Sequence, residues 1–428
     1  MLETLRNAWA VKDIRRKILF TVFILIVFRI GSVIPVPFIN TATLTSVASD
    51  NTFFSYLSVL TGGSLEYGAI FSLSVTPYIN SSIIIQLLTV AIPALERLSK
   101  EGEEGKKKLA QITRYTTVIL ALLQGVAYFV YLNANGCINT NTKFTFWLAA
   151  VVIVLTLTAG STLVMWLGEQ IDTKGIGNGI SMILFAGIIS RADEAAVTLW
   201  THAVELKNYV AVIAVLALFL LLIVFVVWMT AAERRIPIQY AKRVVGNKMY
   251  GGQNTHIPIK VNMSGVMPVI FASSILMLPT MILSFITNSP KNYWYEILEL
   301  FSAQGVFYAI VYFVLIIGFA YFYATIQFNP VEMANNLRKN GGSIPGIRPG
   351  KPTVDFISKI LSRITLMGAF FLSIVAILPI AVAAVPQMGA MGISIGGTSM
   401  LILVGVALDT VQNLESQMMM RHYKGFLD

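Results

Sequence analysis

The chain has 428 residues, of which 56% are hydrophobic and only 12% are charged. Its mean hydropathy of +0.73 is far from that of a soluble domain of this length, so the composition excludes an ordinary water-soluble fold and indicates a membrane protein. The net charge of +10 would suit a nucleic-acid partner, but the placement of the basic residues explains it differently.

Ten apolar runs follow one another along the chain, and most approach the 20 or so residues that a helix needs to cross a bilayer core of about 30 Å. They are continuous rather than alternating in polarity, which favours helices over the strands of a β-barrel. The predicted fold is an all-α polytopic membrane protein with ten transmembrane helices. The runs centre on residues 18–33, 75–92, 112–132, 146–167, 180–189, 210–230, 266–286, 306–326, 364–385 and 396–411.

The basic residues fall almost entirely in every second gap between these runs. The two termini and the gaps on their side carry 26 of the 31 Lys and Arg residues, and Arg29 lies inside the first run. Loops rich in Lys and Arg stay in the cytoplasm, so we expect both termini there. Pro35 and Pro37 follow the first run where a small-residue cleavage site would stand, so we expect this run to be retained as a span.

The ten predicted spans divide near residue 205 into an N-terminal half, residues 1–205, and a C-terminal half, residues 206–428. Because five is odd, the second half enters from the opposite side, which indicates two pseudo-symmetric, inverted halves. Two cytoplasmic loops are long, residues 231–262 and 328–362. Their Gly, Pro and basic content predicts ordered, hairpin-like projections.

An external segment, residues 37–75, is too long for a connector and too broken for a span. Within it, the stretch TFFSYLSVL (52–60) has an apolar helical face, and Thr61, Gly62 and Gly63 favour a helix stop. Two placements remain open for this short helix. It lies either on the membrane surface or folded back into a cavity between the spans.

Ionisable residues are missing from the middle of the ten runs, since Arg29, Glu169 and Asp409 all lie near run ends. Ion-coupled transporters and proton pumps need such groups within the membrane, so this class is disfavoured. Cys137 is the only cysteine, and neither a metal-ligand spacing nor a nucleotide or hydrolase motif occurs. We expect no catalytic residue, no metal site and no cofactor. The glycine-rich run 175–179 follows a membrane helix, so we interpret it as a tight turn rather than a phosphate cradle.

The second and seventh runs combine prolines with small polar residues. We expect the prolines to break the helices and one polar face to contact water or another helix, while Ile83–Ile85 faces lipid. The pattern fits either a polar seam that opens or ordinary helix packing through small residues. The residues concerned are Thr76, Pro77, Asn80, Ser81 and Ser82 in one run and Pro268, Ser273, Ser274 and Pro279 in the other.

Nine stretches in a fixed order, between about residues 13 and 426, carry a resemblance to one known family. They are FRIGSVIPVP (28–37), TPYINSSIIIQLLT (76–89), EGEEGKKKLAQITRY (101–115), MWLGEQI and GIGNGIS (165–181), IPIQYAKR (236–243), THIPIKVN and GVMPVIFASS (255–274), FNP (328–330), IPGIRPG (344–350) and GGTS (396–399). Together they resemble the SecY family, the central subunits of the bacterial Sec protein-conducting channel.

The resemblance implies an hourglass channel with a ring of aliphatic side chains at its waist. The channel would pass unfolded secretory polypeptides across the bacterial plasma membrane and release membrane segments sideways into it. A narrow ring of branched apolar side chains dewets and resists ions, which suits that role. Carried over position by position, the ring falls on Val75, Ile79, Leu184, Ile270 and Ile402. Several family members have isoleucine where this chain has Val75 and Leu184, so these two depart from the family pattern.

The resemblance also implies an external plug and a lateral gate between the second and third spans on one flank and the seventh and eighth on the other. The plug falls on residues 52 to about 67, which favours the cavity placement of the short helix; its named residues are Thr52, Phe53, Phe54, Tyr56, Leu57 and Leu60. The gate residues implied are Asn80, Ile84, Gln124, Ser273, Ser274 and Leu278.

The two long cytoplasmic loops resemble the family's docking surface for the ribosome and the SecA motor ATPase. Arg348 is the first candidate contact, because an arginine between Gly and Pro turns presents a two-pronged donor to a phosphate or carboxylate. Lys242 and Arg243 come second. The family also works with SecE and often SecG, and it recognises signal sequences and unfolded preproteins. Energy must come from such a partner, because no nucleotide motif occurs here.

Two other functions remain as alternatives. An inverted repeat with broken helices also suits a secondary transporter for a small solute, although the missing intramembrane charges disfavour it. The chain also fits a specialised SecY paralogue with a narrow set of substrates, which altered cytoplasmic loops would indicate; the loops here are full-length.

Overall fold

The computed structural model of the chain describes residues 6, 9–50, 58, 61–139, 142–204, 209–240, 243–245, 248–250, 254–263, 265–286, 305–383 and 397–424. Helices dominate these residues. The first half contains α1 Lys12–Gly31, α2 Thr41–Asp50, α3 Thr76–Ala91, α4 Pro93–Lys100, α5 Glu103–Ala134, α6 Lys143–Lys174, α7 Gly179–Ile189 and α8 Ala192–Val204. The second contains α9 Tyr209–Ala231, α10 Met267–Ile286, α11 Val306–Gln327, α12 Pro330–Lys339, α13 Lys351–Ala383 and α14 Gly397–Lys424.

Each of the ten predicted spans coincides with one helix: α1, α3, α5, α6, α7, α9, α10, α11, α13 and α14. By length and hydropathy, five stretches of the described chain could cross a membrane on their own, in α5, α6, α9, α11 with α12, and α13. Helices α3 and α4 would make a sixth if counted as one span, although they bend by 101° at Ile92. Helix α7 has 11 residues and is about 16 Å long, so it crosses only part of a bilayer.

The prolines at the start of α3 and α10 do not break these helices, and that expectation was wrong. Pro77 and Pro268 are the second residues of α3 and α10, where a backbone N–H has no intrahelical partner to lose. Of the prolines named in these two runs, Pro279 is the one that lies inside its helix.

The expectation that Ile83–Ile85 faces lipid was also wrong in part. Ile83 and Ile85 are buried, and only Ile84, 38% exposed, reaches the surface. The cause is the packing of α3 along α5, where the Ser81 hydroxyl donates to the carbonyl of Thr113 at 2.8 Å.

The glycine-rich run forms the predicted tight turn between α6 and α7. The Gly179 N–H donates to the Asp172 carboxylate at 2.7 Å, and the Ser181 N–H donates to Asn178 Oδ1 at 3.1 Å. The Ile176 N–H donates to Thr21 Oγ1 at 3.2 Å. The backbone N–H groups of Gly175, Ile176 and Gly179 are already occupied, and the Asp172 carboxylate stands beside them, so the turn does not offer a phosphate cradle.

The two long loops, which the sequence predicts to be cytoplasmic, share one folded unit. Strands β1 Glu233–Tyr240, β4 Asn254–Lys260 and β5 Gly342–Ser343 form an antiparallel sheet in the order β4-β1-β5, and β2 Arg243–Val245 pairs with β3 Lys248–Tyr250. In β1, Ile236 and Ile238 are buried while their neighbours are exposed, the two-residue period of a half-buried strand. These two isoleucines pack with residues of α12 and of the first turns of α13, such as Leu337 and Ile357. The prediction of ordered loops is therefore confirmed, and the two loops share one core. The hairpin form is found in residues 231–262, whereas residues 328–362 form α12, β5 and the first turns of α13.

Candidate functional site

The five residues predicted for the apolar ring lie in one cluster of apolar side chains, here called the central cluster. Val75, Leu184 and Ile402 are among its buried members, and Ile79 and Ile270 are half-buried and pack against it. The other buried members are Ile24, Phe28, Phe71, Val164, Leu167, Ile171, Ile183, Ile188 and Val406. The structure thus brings together five predicted ring residues that lie up to 327 positions apart in the sequence.

Four helices from both ends of the chain position these side chains. Val75 directly precedes α3 and Ile79 is the fourth residue of that helix, while Ile270 is the fourth residue of α10. Leu184 lies in the middle of α7, and Ile402 lies in the second turn of α14. Helix α7 also contacts α14. Branched apolar side chains from two pairs of helices therefore converge on one region.

The chain bends sharply just before Val75. Ser74 has a positive φ of 47°, a conformation that costs most residues about 1 kcal/mol or more. Its carbonyl accepts from the Ser161 hydroxyl of α6 at 3.1 Å. Ser74 therefore fixes the point at which α3 begins, and with it the positions of Val75 and Ile79.

Val266 was not among the residues predicted for the ring, yet it packs against the central cluster. It precedes α10 as Val75 precedes α3. A short repeat in the sequence would have revealed it: VTPYI at 75–79 and VMPVI at 266–270 share the pattern V-x-P-x-I. Five letters are too few to stand out in an apolar sequence, which is why hydropathy alone suggested the inverted halves.

The residues named for the plug, Thr52, Phe53, Phe54, Tyr56, Leu57 and Leu60, lie outside the described residues. Ser58 and the stretch 61–75, which follows, are described. Residues 61–65 are all buried, and the Tyr128 hydroxyl of α5 donates to the Leu65 carbonyl at 2.9 Å. Phe71 stacks on Phe28 of α1, with ring centroids 6.0 Å apart. This stretch therefore packs between the spans rather than on the surface.

Two helices predicted to flank the lateral gate, α3 and α10, contact each other. On α3, Asn80 is half-buried and Ile84 is exposed; Gln124 on α5 is half-buried. Ser273 is buried on α10 and donates to the Ile270 carbonyl of its own helix at 2.9 Å, and Ser274 is half-buried. Leu278 lies in α10, but its side chain is outside the described part of the structure.

Arg348 is exposed on a turn whose two ends are fixed to the folded unit of the two long loops. Ile344, before it, is buried, and the Thr353 hydroxyl, after it, donates to the Arg348 carbonyl at 2.9 Å. Gly346 and Gly350 flank the arginine with φ values of 80° and 109°, which glycine adopts without strain. Lys242 lies outside the described residues, as does the side chain of Arg243.

Comparisons with known proteins agree with this arrangement. The SecY family model matches residues 69–411. The protein translocase subunit SecY of Halalkalibacterium halodurans is 46% identical, with the full length of both chains covered. The chain belongs to the SecY family.

SecY-family membership makes the chain a multi-pass membrane protein, in agreement with its apolar helices. Two solved structures have the same fold. A SecY protein studied for the role of its plug domain gives a TM-score of 0.66, and canine Sec61 in a ribosome-channel complex gives 0.61. Each is 18% identical to this chain, and each comparison covers 94% of this chain and 92% of the other.

Proposed function

We propose that this chain is the channel subunit of a protein translocase in the bacterial plasma membrane. It would pass unfolded secretory polypeptides across the membrane and release apolar segments sideways into lipid. The observation that carries the proposal is the central cluster, in which Val75, Ile79, Leu184, Ile270 and Ile402 converge from four helices. The names of the relatives, a translocase subunit and a translocation channel, support the same function.

An apolar waist suits a polypeptide of arbitrary sequence. Branched aliphatic side chains make van der Waals contact without hydrogen-bonding, so they fit closely around many different side chains without holding any of them. A narrow apolar constriction also loses its water and blocks ions when no polypeptide is present. The waist would therefore form a seal in both the resting and the translocating channel.

Lateral release would take place where α3 meets α10. Asn80, Ile84 and Gln124 would line one flank, and Ser273, Ser274 and Leu278 the other. Few contacts join α3 to α10, whereas α3 packs extensively on α5 and α10 on α11. Separation between the two helix pairs would therefore disrupt less packing than separation within either pair. The halves 1–205 and 206–428 would move apart as units.

The driving energy would come from a partner on the cytoplasmic side, where both termini would also lie. Arg348 is exposed on a fixed turn of the cytoplasmic unit and would contact the SecA motor or the ribosome, with Lys242 and Arg243 as further contacts. The canine relative forms a ribosome-channel complex. SecE and SecG would complete the channel by holding the two halves together.

Site-specific photo-crosslinking tests the proposal. A photoreactive amino acid replaces Ile402 in one variant and Val375, buried in the core of the second half, in the control. Each variant is reconstituted with SecE into proteoliposomes, and SecA with ATP drives a preprotein that is arrested midway. We expect Ile402 to crosslink to the arrested preprotein and Val375 not to.

Equal crosslinking from both positions, or from neither while uptake proceeds, would overturn the placement of the waist. Failure of the unsubstituted protein to take up preprotein would overturn the function. Solute flux into the same vesicles without SecA would then favour the small-solute transporter.

A further inference from the structure

Two arginines at the ends of two helices hold described residues from the second part of the predicted plug, residues 52 to about 67. Arg29 lies in the last turn of α1, and Arg191 comes two residues after the end of α7. Their guanidinium groups contact Ser58, Gly62 and Glu66, which are spaced four residues apart. These five residues are here called the latch.

Arg29 holds the backbone of the stretch. Its Nη1 atom donates to the Gly62 carbonyl at 2.8 Å and to the Ser190 hydroxyl at 3.1 Å. The Ser190 hydroxyl donates to the Gly187 carbonyl at 2.7 Å. The Arg29 guanidinium group therefore links α1 both to the Gly62 carbonyl and to Ser190 at the end of α7.

Arg191 holds two side chains of the stretch. Its Nη1 atom lies 2.6 Å from the Ser58 hydroxyl and 3.0 Å from the Glu66 carboxylate. Its Nε and Nη2 atoms contact Glu194 at 2.8 and 2.6 Å. The side chains of Arg191 and Glu66 are only 19% and 16% exposed, so water screens their attraction less than that of a surface pair.

Gly62 lets the stretch lie directly on the end of α7. A Cβ atom at this position would lie 2.7 Å from the Ser190 hydroxyl and 2.9 Å from the Gly187 backbone. Gly62 also has a φ of +67°, which glycine adopts without strain. Helix α7 carries Leu184, so the gripped stretch and a residue of the central cluster are fixed on the same short helix.

We propose that the latch sets how firmly the resting channel is closed, and that Arg29 and Arg191 position the plug from outside. The inference rests on the proposed function and extends it to Arg29 and Arg191, which the family resemblance did not indicate. Under the proposed function the plug moves aside when a polypeptide passes, so the contacts of Arg29 and Arg191 with Ser58, Gly62 and Glu66 would exist only in the closed state. Weakening them shifts the population towards the open state.

Two consequences distinguish this role from general destabilisation. A resting channel with a weakened latch passes ions more often. It also needs less binding energy from a signal sequence to open, so a preprotein with a poorly apolar signal crosses better than before. A channel that was merely unstable would lose uptake of every preprotein.

The test uses the channel reconstituted with SecE into planar bilayers and proteoliposomes. The variants are Arg191→Gln, Glu66→Gln and the double variant, with Arg191→Lys as the conservative change. Arg114→Gln is the matched control. Arg114 also pairs with a carboxylate, that of Glu169 at 2.6 Å, but this pair joins α5 to α6 and includes no residue of the latch. The readouts are resting ion conductance and uptake of preproteins with a normal and a weakened signal sequence.

We expect Arg191→Gln to raise the resting conductance by about tenfold or more, the effect of losing one or two hydrogen bonds to a charged group. Glu66→Gln should raise the resting conductance less than Arg191→Gln does, and the double variant should have the same conductance as Arg191→Gln. The conductance of Arg191→Lys should lie between those of the unsubstituted protein and Arg191→Gln. Uptake of the weakened preprotein should rise in the same order, and Arg114→Gln should match the unsubstituted protein.

Unchanged conductance in Arg191→Gln and Glu66→Gln, with normal preprotein uptake, would overturn the latch and leave the proposed function standing. Absence of uptake by the unsubstituted protein would overturn the proposed function instead. If Arg191→Gln does not assemble with SecE, Glu66→Gln decides the question, because it leaves Arg191 paired with Glu194.

Discussion

Ile79 and Ile270 occupy the same position in two different helices, the fourth residue of α3 and the fourth residue of α10, and both pack against the central cluster. Each stands two residues after a proline at the second helical position and four residues after a valine of the same cluster. The two helices therefore bring equivalent side chains to one apolar region from opposite halves of the chain.

A hydroxyl at this position should weaken the seal. Replacing Ile79 by Ser removes most of a branched side chain and gives water a hydrogen-bonding partner at the proposed apolar waist, which favours wetting. We expect the resting ion conductance of Ile79→Ser to rise several-fold in planar bilayers. Ile119→Ser serves as the control, because Ile119 is 61% exposed on α5 and lies outside the cluster.

Equal conductance in Ile79→Ser and Ile119→Ser would show that Ile79 does not line the seal. A rise in both would point to a general loss of packing. A thermal unfolding curve of each purified complex separates the two cases, since loss of packing lowers the midpoint.

The hydrogen bond between Ser81 and Thr113 should make α3 and α5 move together. The Ser81 hydroxyl is fully buried and donates to the Thr113 carbonyl at 2.8 Å. Replacing Ser81 by Ala leaves that carbonyl without this donor, at a cost of about 1 kcal/mol. We expect a lower midpoint of thermal unfolding for Ser81→Ala in detergent.

Ser416 provides the matched comparison, because its exposed hydroxyl donates only to the Gln412 carbonyl one turn earlier in α14. Ser416→Ala should leave the midpoint within experimental error. If Ser81→Ala behaved the same way, the interhelical hydrogen bond would not contribute to stability.

The number and order of the spanning helices could be predicted from the sequence, because the bilayer requires long apolar helical segments. Ten apolar runs gave ten helices, since a chain in lipid must satisfy its backbone hydrogen bonds within each segment. The short helices α2, α4, α8 and α12 were not predicted. Helix α4, with residues such as Arg97 and Lys100, has no buried side chain, so it lacks the apolar run on which the prediction relied.

Contacts between distant segments could not be predicted from hydropathy. Arg29 was noticed only as a charge near the end of a span, and no pattern in the sequence singled out Arg191. Their partners Gly62 and Glu66 lie in a stretch that hydropathy described as broken. Which carbonyl or carboxylate an arginine meets depends on where the helix ends come to lie, and no local pattern records that.

Cys137 should resist polar thiol reagents in the native protein. It is fully buried between α5 and α6 among residues such as Leu132 and Ala149, and burial raises the pKa of its thiol. Because the thiolate is the reactive form, less of it exists near pH 8 than for an ordinary exposed cysteine. We expect modification by a membrane-impermeant maleimide only after denaturation.

Ser46→Cys in a Cys137→Ala background is the positive control, since Ser46 is exposed on α2. Applied from outside intact cells, the reagent should label Cys at position 46 if both termini are cytoplasmic. Labelling only in inverted vesicles would reverse the proposed orientation, and rapid labelling of native Cys137 would contradict its burial.

Charge reversal at Arg348 should uncouple the motor without disturbing the channel. The arginine stands on a turn fixed by Ile344 and by the hydrogen bond from Thr353, so its guanidinium group projects from a rigid support and its loss removes charge-assisted contacts rather than packing. We expect Arg348→Glu to reduce SecA-driven preprotein uptake at least tenfold while SecE still co-purifies. Lys359→Glu, an exposed reversal on α13 in the same unit, should retain most of the uptake. A similar loss in both variants would indicate that overall charge attracts the partner, and full uptake by Arg348→Glu would place the contact elsewhere on this folded unit.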